Sequence, residues 1–336
     1  MHAWSRPVRV TLAAAMACSA LASSAAQSAV TRPVVSDTAC PLETITPVAA
    51  DGHRGLAVLR RPPGAGPFPV VIWFHGGMAE VPLARLEAAA RDLATGSRFL
   101  AAGYVFVAPT YRSRDVDPQS PDSLEDALAV VEYVRRLPFV DRWSLVVAGC
   151  SGGGDLAIQI ATRTDVTAVV AEEPASVLMS GVFNTSMPKR GAVYVPDDAF
   201  AWLAEGRRYY TADMQRALRA KLAKILAPIL IVQGDVDRPE IAINRFNADV
   251  LLPELRALGT RVDVKTYAGQ AHCFCAGSGA PRREGLALPP ASWPAAALKA
   301  FQDIDAFCRR YMRTRPRAVS TALITQDGVL TGPTTK

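Results

Sequence analysis

Apolar and polar positions follow two periods along this chain. From about residue 68 to 312, short apolar runs alternate with stretches whose apolar residues recur at helical spacing. The runs Pro69–Phe74, Tyr104–Pro109, Trp143–Ala148, Val166–Ala171, Ile229–Gln233 and Val262–Tyr267 predict strands. Nearly continuous apolar strands of this kind are buried on both faces, which implies a mainly parallel sheet covered by helices. Upstream, Glu43–Ala49 and Gly55–Arg60 flank Asp51-Gly52 and predict an antiparallel hairpin, bringing the count to eight strands. Helices are expected between the later strands. Leu124, Ala127, Leu128, Val131 and Val134 form one apolar stripe, with Ser123 and Asp126 as a capping box at its start. Ile243, Phe246, Val250 and Leu251 form another, which Pro253 interrupts. Gly152–Arg163 and Trp293–Met312 complete the set.

Residues 175–225 break the alternation. Phe183, Tyr194, Phe200, Trp202, Tyr209 and Tyr210 fall in this stretch, which is expected to form a cap over an apolar pocket or a small core of its own. No linker divides the middle of the chain, so one domain over residues 27–312 is expected.

Composition refines this picture. Half the residues are hydrophobic and 20% are charged, which excludes intrinsic disorder. The formal net charge of +6 invites a nucleic-acid reading until it is located. Arg6 and Arg9 carry part of it, and Arg309, Arg310, Arg313, Arg315, Arg317 and Lys336 carry most of the rest. The body between is close to neutral, so no nucleic-acid partner is expected. Residues 313–336 are read as a basic, disordered tail.

Residues 1–26 have the form of an export signal: Arg6 and Arg9, an apolar Val10–Leu21 stretch, then Ser24-Ala25-Ala26. Cleavage after Ala26 is expected, with Ala20-Leu21-Ala22 as the alternative site. Ala15-Met16-Ala17-Cys18 matches a lipoprotein box only weakly. The apolar run is short of the ~18 to 20 residues that span a bilayer, so no integral membrane span is expected, and the protein is read as periplasmic or secreted. Export permits disulfides. Without Cys18 the cysteines are Cys40, Cys150, Cys273, Cys275 and Cys308, an odd number, so at least one stays unpaired or pairs between chains. Cys40 and Cys308, near the two ends of the body, are a candidate pair, although connectivity cannot be read from spacing. Cys273 and Cys275 are too close for an easy bridge. No zinc spacing appears, and neither a cofactor nor a metal is expected.

The chemistry lies at Trp143–Gly154. An apolar strand runs into Gly149-Cys150-Ser151-Gly152-Gly153, a G-x-S-x-G sequence followed by a helix. The bare motif is common, but a strand-to-helix turn flanked by glycines lifts one side chain above the sheet. Ser151 is then the nucleophile, close to a helix amino terminus. Of the four histidines, His2 falls in the export signal, His53 beside the hairpin and His75 at a strand end. Only His272 follows Ser151, five residues past the last strand, and it is the expected base. Gln233-Gly234-Asp235-Val236-Asp237 offers the orienting acid: Asp237 first, Asp235 as runner-up, with Glu172 and Glu173 as a more distant alternative. Oxyanion donors are expected at the N–H groups of Gly152 and Gly77, with Gly76 close behind and His75 as a positioning residue. Cys150 is expected to pack beneath the turn.

These segments, PVVIWFHGG (69–77), DALAVVEYVRRLPFVDRWSLVVAGCSGGG (126–154), PILIVQGDVD (228–237) and YAGQAHCF (267–274), resemble the α/β-hydrolases. The resemblance is to dienelactone hydrolase-like proteins and the catalytic domain of prolyl oligopeptidase-like peptidases. It implies an eight-stranded, mainly parallel sheet with helices on both faces, and its G-x-x-D pattern also selects Asp237. A serine replaces the cysteine nucleophile of dienelactone hydrolases, and Gly152 stands where oligopeptidases often carry an aromatic residue. The expected activity is therefore cleavage of carboxylic esters through an acyl-enzyme on a small-molecule substrate. The alternatives are a peptidase acting on short peptides, an acyltransferase and a non-catalytic binding protein of the same fold. Oligomeric state is not legible.

Overall fold

The computed structural model describes residues 39–77, 80–91, 95–112, 121–183, 189–190, 193–194, 205–236, 242–275 and 293–313. Residues 1–26, read above as an export signal, together with Asp237, Phe200, Trp202 and the residues beyond 313, lie outside the described residues.

Eight strands form one sheet in the order β1-β2-β4-β3-β5-β6-β9-β10. They are β1 (Glu43–Ile45), β2 (Ala57–Arg60), β3 (Phe68–Phe74), β4 (Val105–Pro109), β5 (Val140–Cys150), β6 (Ala168–Glu172), β9 (Ile229–Gly234) and β10 (Val262–Tyr267); β7 (Lys189–Arg190) and β8 (Val193–Tyr194) pair separately. All eight expected strands are present. Pairing is antiparallel at β1–β2 and β2–β4 and parallel from β4 through β10. The apolar runs explain the order. Strands β3, β4, β5 and β6 carry almost unbroken apolar residues and are buried along most of their length. At the sheet's edge, β10 (VDVKTY) alternates and is only half-buried.

Each sheet face has its own core. On one face Val70, Ile72, Val147, Val169 and Ile231 pack under α3 (Pro121–Arg135), α4 (Gly152–Ala161) and α5 (Ala212–Leu222). On the other, Val71, Trp73, Val146, Val170 and Val232 meet α1 (Leu83–Arg91), α2 (Gly96–Ala101) and the last helix, Trp293–Tyr311. That helix buries Ala297, Ala300, Ile304, Phe307 and Cys308, a spacing that draws one stripe along a 3.6-residue helix. Each fully buried Val, Leu or Ile contributes roughly 1.5–3 kcal/mol.

Three local expectations change. Helix α3 starts at Pro121, so Ser123 lies inside its first turn rather than at its cap. Ser123 Oγ donates to the Arg112 carbonyl at 2.5 Å, and Asp126 receives the Arg112 backbone N–H at 2.8 Å and its guanidinium at 2.7 Å. The pair latches the loop after β4 instead of capping the helix. Secondly, Pro253 does not end its helix. The chain runs from Ala242–Phe246 through a π-helical turn, Asn247–Leu251, into Leu252–Ala257, a run we call α6. A local π turn redistributes backbone bonds where proline lacks an N–H. Thirdly, Cys40 and Cys308 are both free and buried: Cys40 packs beside Leu100, while Cys308 belongs to the core under the last helix. In the 175–225 stretch, Phe183 is buried and Tyr209 and Tyr210 pack at the edge of the first core.

Candidate active site

The site is assembled at the carboxyl ends of β3, β5, β6, β9 and β10. Ser151 follows β5 directly and begins α4 with φ 54° and ψ −118°, a conformation L side chains rarely adopt. Three non-glycine residues among those described have positive φ: Ser151, Glu173 (43°) and Cys273 (57°). Each costs roughly 1–2 kcal/mol relative to ordinary backbone, and such strain collects at functional sites.

Glycines make the Ser151 turn sterically feasible. A Cβ on Gly153 would lie 2.2 Å from the Phe74 carbonyl oxygen, and one on Gly149 would lie 2.5 Å from Gly153 backbone. The Gly76-Gly77 segment passes against the same turn, with a Cβ on Gly76 falling 3.3 Å from Ser151 Cβ. Gly77 has φ +91°, a conformation that suits glycine. These positions bring Gly77 and Gly152 together, since a Cβ on Gly152 would lie 3.0 Å from the Gly77 carbonyl.

The segment after β6 is threaded between the Ser151 turn and β9. Glu172 accepts the Ser151 N–H through its carbonyl at 2.9 Å, Glu173 donates its N–H to Val232 at 2.9 Å, and Ala175 donates to the Ser151 carbonyl at 3.0 Å. This leaves the Glu173 carboxylate fully buried and facing His272, whose Nδ1 lies 2.8 Å from Glu173 Oε2. The same oxygen accepts the Cys273 N–H at 2.6 Å. Oε1 accepts the Gly234 N–H at 2.9 Å and Asn244 Nδ2 at 3.0 Å. Burial alone would raise the Glu173 pKa, but the contacts from His272, Asn244 and Gly234 outweigh it and hold the carboxyl below its ordinary value. The π-helical turn contributes here too: Asn247 donates to the Pro174 carbonyl at 2.9 Å and accepts from Ser176 Oγ, fixing the strand just past Glu173.

Glu172 behaves oppositely. Burial and then the neighbouring Glu173 charge push its pKa up to about 8, although the Cys275 N–H at 2.6 Å partly offsets them. At neutral pH it is predominantly a neutral acid. His75 is also neutral: burial lowers its pKa to about 4. Its ring stacks on Tyr111 at 4.5 Å, and Tyr111 Oη donates to the His75 carbonyl at 2.8 Å.

Against the sequence reading, the structure brings Ser151, His272, Gly76, Gly77 and Gly152 to one end of the sheet. Asp235 accepts the Gly269 N–H at 2.6 Å, which fastens the His272 loop. The Glu173 carboxylate lies against His272 Nδ1, although the sequence ranks it behind both aspartates; of these, Asp237 lies outside the described residues. Asn244 was missed altogether. Its signal was faint, a polar residue inside the apolar stripe of Ile243 and Phe246. Cys150 does pack beneath the turn, and it forms a disulfide with Cys273 across a Cα–Cα distance of 5.7 Å. Cys150, Cys273 and His272 form the metal-compatible cluster of three found among the described residues, but the disulfide ties up both sulfurs.

A BD-FAE family model matches residues 57–189, which include the strand-to-helix turn at Ser151. None of the curated proteins matches the chain by sequence. Among solved structures, an esterase of Pyrobaculum calidifontis is 23% identical with a TM-score of 0.53, covering 80% of this chain and 84% of its own. A thermostable esterase of Pseudomonas putida ECU1011 is 18% identical with a TM-score of 0.56, covering 83% and 86%. Carboxyl esterase 2 of Tuber melanosporum is 19% identical with a TM-score of 0.56, covering 84% and 90%. The chain has the α/β-hydrolase fold. This α/β-hydrolase domain is placed more broadly than the expected dienelactone hydrolase-like or prolyl oligopeptidase-like branch, since the matching model is BD-FAE. Among the described residues, no helix is long and apolar enough to cross a membrane.

Proposed function

We propose that this α/β-hydrolase domain is a serine esterase that cleaves small carboxylic esters through an acyl-enzyme, with Ser151, His272 and Glu173 as its triad. The observation that carries the reading is the buried Glu173 carboxylate 2.8 Å from His272 Nδ1, beside a serine held on a strained strand-to-helix turn. Contact at Nδ1 leaves Nε2 as the basic nitrogen.

The reaction then follows from the parts. His272 Nε2 takes the proton of Ser151 as Oγ attacks the ester carbonyl, and Glu173 stabilises the imidazolium that forms. Negative charge on the tetrahedral oxygen is met by the N–H groups of Gly152 and Gly77 and by the amino terminus of α4. The imidazolium gives its proton to the departing alkoxide, leaving an acyl group on Ser151. Water, deprotonated by His272, repeats the attack and releases the acid. The esterases of the same fold named above favour an ester over a peptide as substrate. The Cys150–Cys273 disulfide fits export to a periplasmic or extracellular compartment through cleavage of residues 1–26.

The test is hydrolysis of a chain-length series of p-nitrophenyl esters, with Ser151→Ala and His272→Ala as comparisons. Turnover by wild type and a loss of at least about 10³-fold in Ser151→Ala are expected. Full activity in Ser151→Ala, or turnover restricted to proline-containing aminoacyl amides, overturns the assignment.

A further inference from the structure

We propose that the Cys150–Cys273 disulfide is a positioning bond for catalysis, which fixes the base to the nucleophile by a direct covalent link. The inference rests on the triad proposed above. Cys150 immediately precedes Ser151 and Cys273 immediately follows His272, so the bridge joins the two neighbours of the reacting pair.

The two sides of that pair are anchored very differently. Ser151 rises from β5, which is paired with β3 on one side and β6 on the other. Its backbone is further held by Glu172, Asp155 and Ala175. His272 sits in a loop after β10, whose partner in the sheet is β9 alone, at the edge. Through the sheet, the path from nucleophile to base crosses β6, β9 and β10, so small displacements at each pairing accumulate at the imidazole. The disulfide replaces that path with one bond between residues 123 apart in sequence.

The bridge also acts where the loop backbone is least comfortable. Cys273 has φ 57°, and its N–H is donated to the same Glu173 oxygen that faces His272. Cys273 is therefore held at its backbone by the acid and at its side chain by the nucleophile strand. Both cysteines are buried. A displacement of about 1 Å between reacting groups can cost about 10²-fold in rate, which sets the scale of what such a bond can protect.

A double-variant cycle separates this role from a general contribution to stability. Cys150→Ala, Cys273→Ala and the double variant are compared with wild type on the ester panel at 25 °C, with thermal unfolding measured in parallel. The bond is lost equally in all three, so each single variant and the double should show the same fall in kcat, about 10- to 100-fold, with KM changed less than about threefold. The rate at which a fluorophosphonate labels Ser151 should fall in step, because that reaction also needs the base. As a second measurement on the folded wild type, a small dithiol passes two electrons and two protons to the disulfide. This yields two thiols and the cyclic disulfide of the reagent, as verified by alkylation and mass. The same loss of kcat should appear, reverse on reoxidation and be absent in the double variant.

Unchanged kcat and labelling rate in the double variant, with only its unfolding temperature lowered, overturn the proposal. Losses that simply add between the single variants also overturn it, since they would mark two independent packing effects. In both cases wild-type turnover that depends on Ser151 leaves the esterase reading standing. Wild type that neither turns over esters nor labels at Ser151 overturns the two together.

Discussion

Replacing Glu173 by glutamine perturbs one atom and one charge at the point where four donors converge. Gly234 N–H and Asn244 Nδ2 approach Oε1, while Cys273 N–H and His272 Nδ1 approach Oε2. An amide has only one acceptor oxygen, so in either orientation its NH₂ faces two groups that are themselves donors. With the NH₂ toward Gly234 and Asn244, His272 keeps its tautomer but loses the negative charge that stabilises its cation. With the NH₂ toward His272, Nδ1 must become an acceptor, and Nε2 then carries a proton and cannot take one from Ser151. An acid-to-amide change of this kind in a serine triad lowers kcat about 10⁴-fold, equivalent to about 5.5 kcal/mol in the barrier. Stability falls as well. Two buried donors left unsatisfied cost about 1–3 kcal/mol each, which is within the ~5–15 kcal/mol that holds a typical domain folded. The variant should therefore stay folded at 25 °C, and the lost rate belongs to the site. Steady-state hydrolysis of a p-nitrophenyl ester, with circular dichroism and thermal unfolding as the folding check, measures both effects. Asp237→Asn is the comparison and should keep kcat within about tenfold, because the Nδ1 partner is already supplied. A folded Glu173→Gln variant with near-normal kcat, or a 10³-fold loss in Asp237→Asn alone, would refute the reasoning.

Three other outcomes are expected. Glu172 is neutral in the fold because burial and the Glu173 charge raise its pKa to about 8. The unfolded chain ionises near the ordinary value of about 4.5, so the stability contribution is intact below that pH and declines at up to ~1.4 kcal/mol per unit until it levels off near pH 8. Glu172→Gln keeps an acceptor for the Cys275 N–H and should flatten the fall in unfolding temperature between pH 5 and 8; parallel curves for the two proteins would contradict this. Gly153→Ala would place a methyl 2.2 Å from the Phe74 carbonyl oxygen, whereas the same change at Gly259 meets open space and only a positive φ. Urea unfolding should show a loss above about 3 kcal/mol for the first and about 1 kcal/mol for the second, and similar values would mean the helix shifts freely. Asp126→Asn removes the nearly buried negative charge, and one of the two acceptor oxygens, that face the Arg112 guanidinium, and should cost about 3 kcal/mol in the same assay. A loss under about 0.5 kcal/mol would mean that Asp51, 2.7 Å from the same guanidinium, suffices.

The amino-acid sequence by itself determined the sheet and the strand-to-helix turn at Ser151. Apolar runs flanked by glycine and polar residues leave few ways to bury both faces of a strand, and β3 to β6 appear where those runs lie. Gly149, Gly153 and Ser151 were legible because a strand-to-helix turn this tight admits no side chain two residues to either side of the serine. His272 was legible by elimination, as one of four histidines and the only one after Ser151. Tertiary structure alone set the Glu173 carboxylate against its Nδ1. The sequence offered carboxyl groups after β6 and after β9, both at strand ends. The Glu173–His272 contact depends on the backbone turn at Glu173, with φ 43°, and on the parallel register that sets Cys150 beside Glu172. Neither is a property of local composition. Disulfide pairing is of the same kind: Cys150 and Cys273 are 123 residues apart, and only the order of β5, β6, β9 and β10 brings their Cα atoms within 5.7 Å. Local pattern fixes what a segment must bury, while the partner of a side chain at a strand end is set by where the chain bends after that strand.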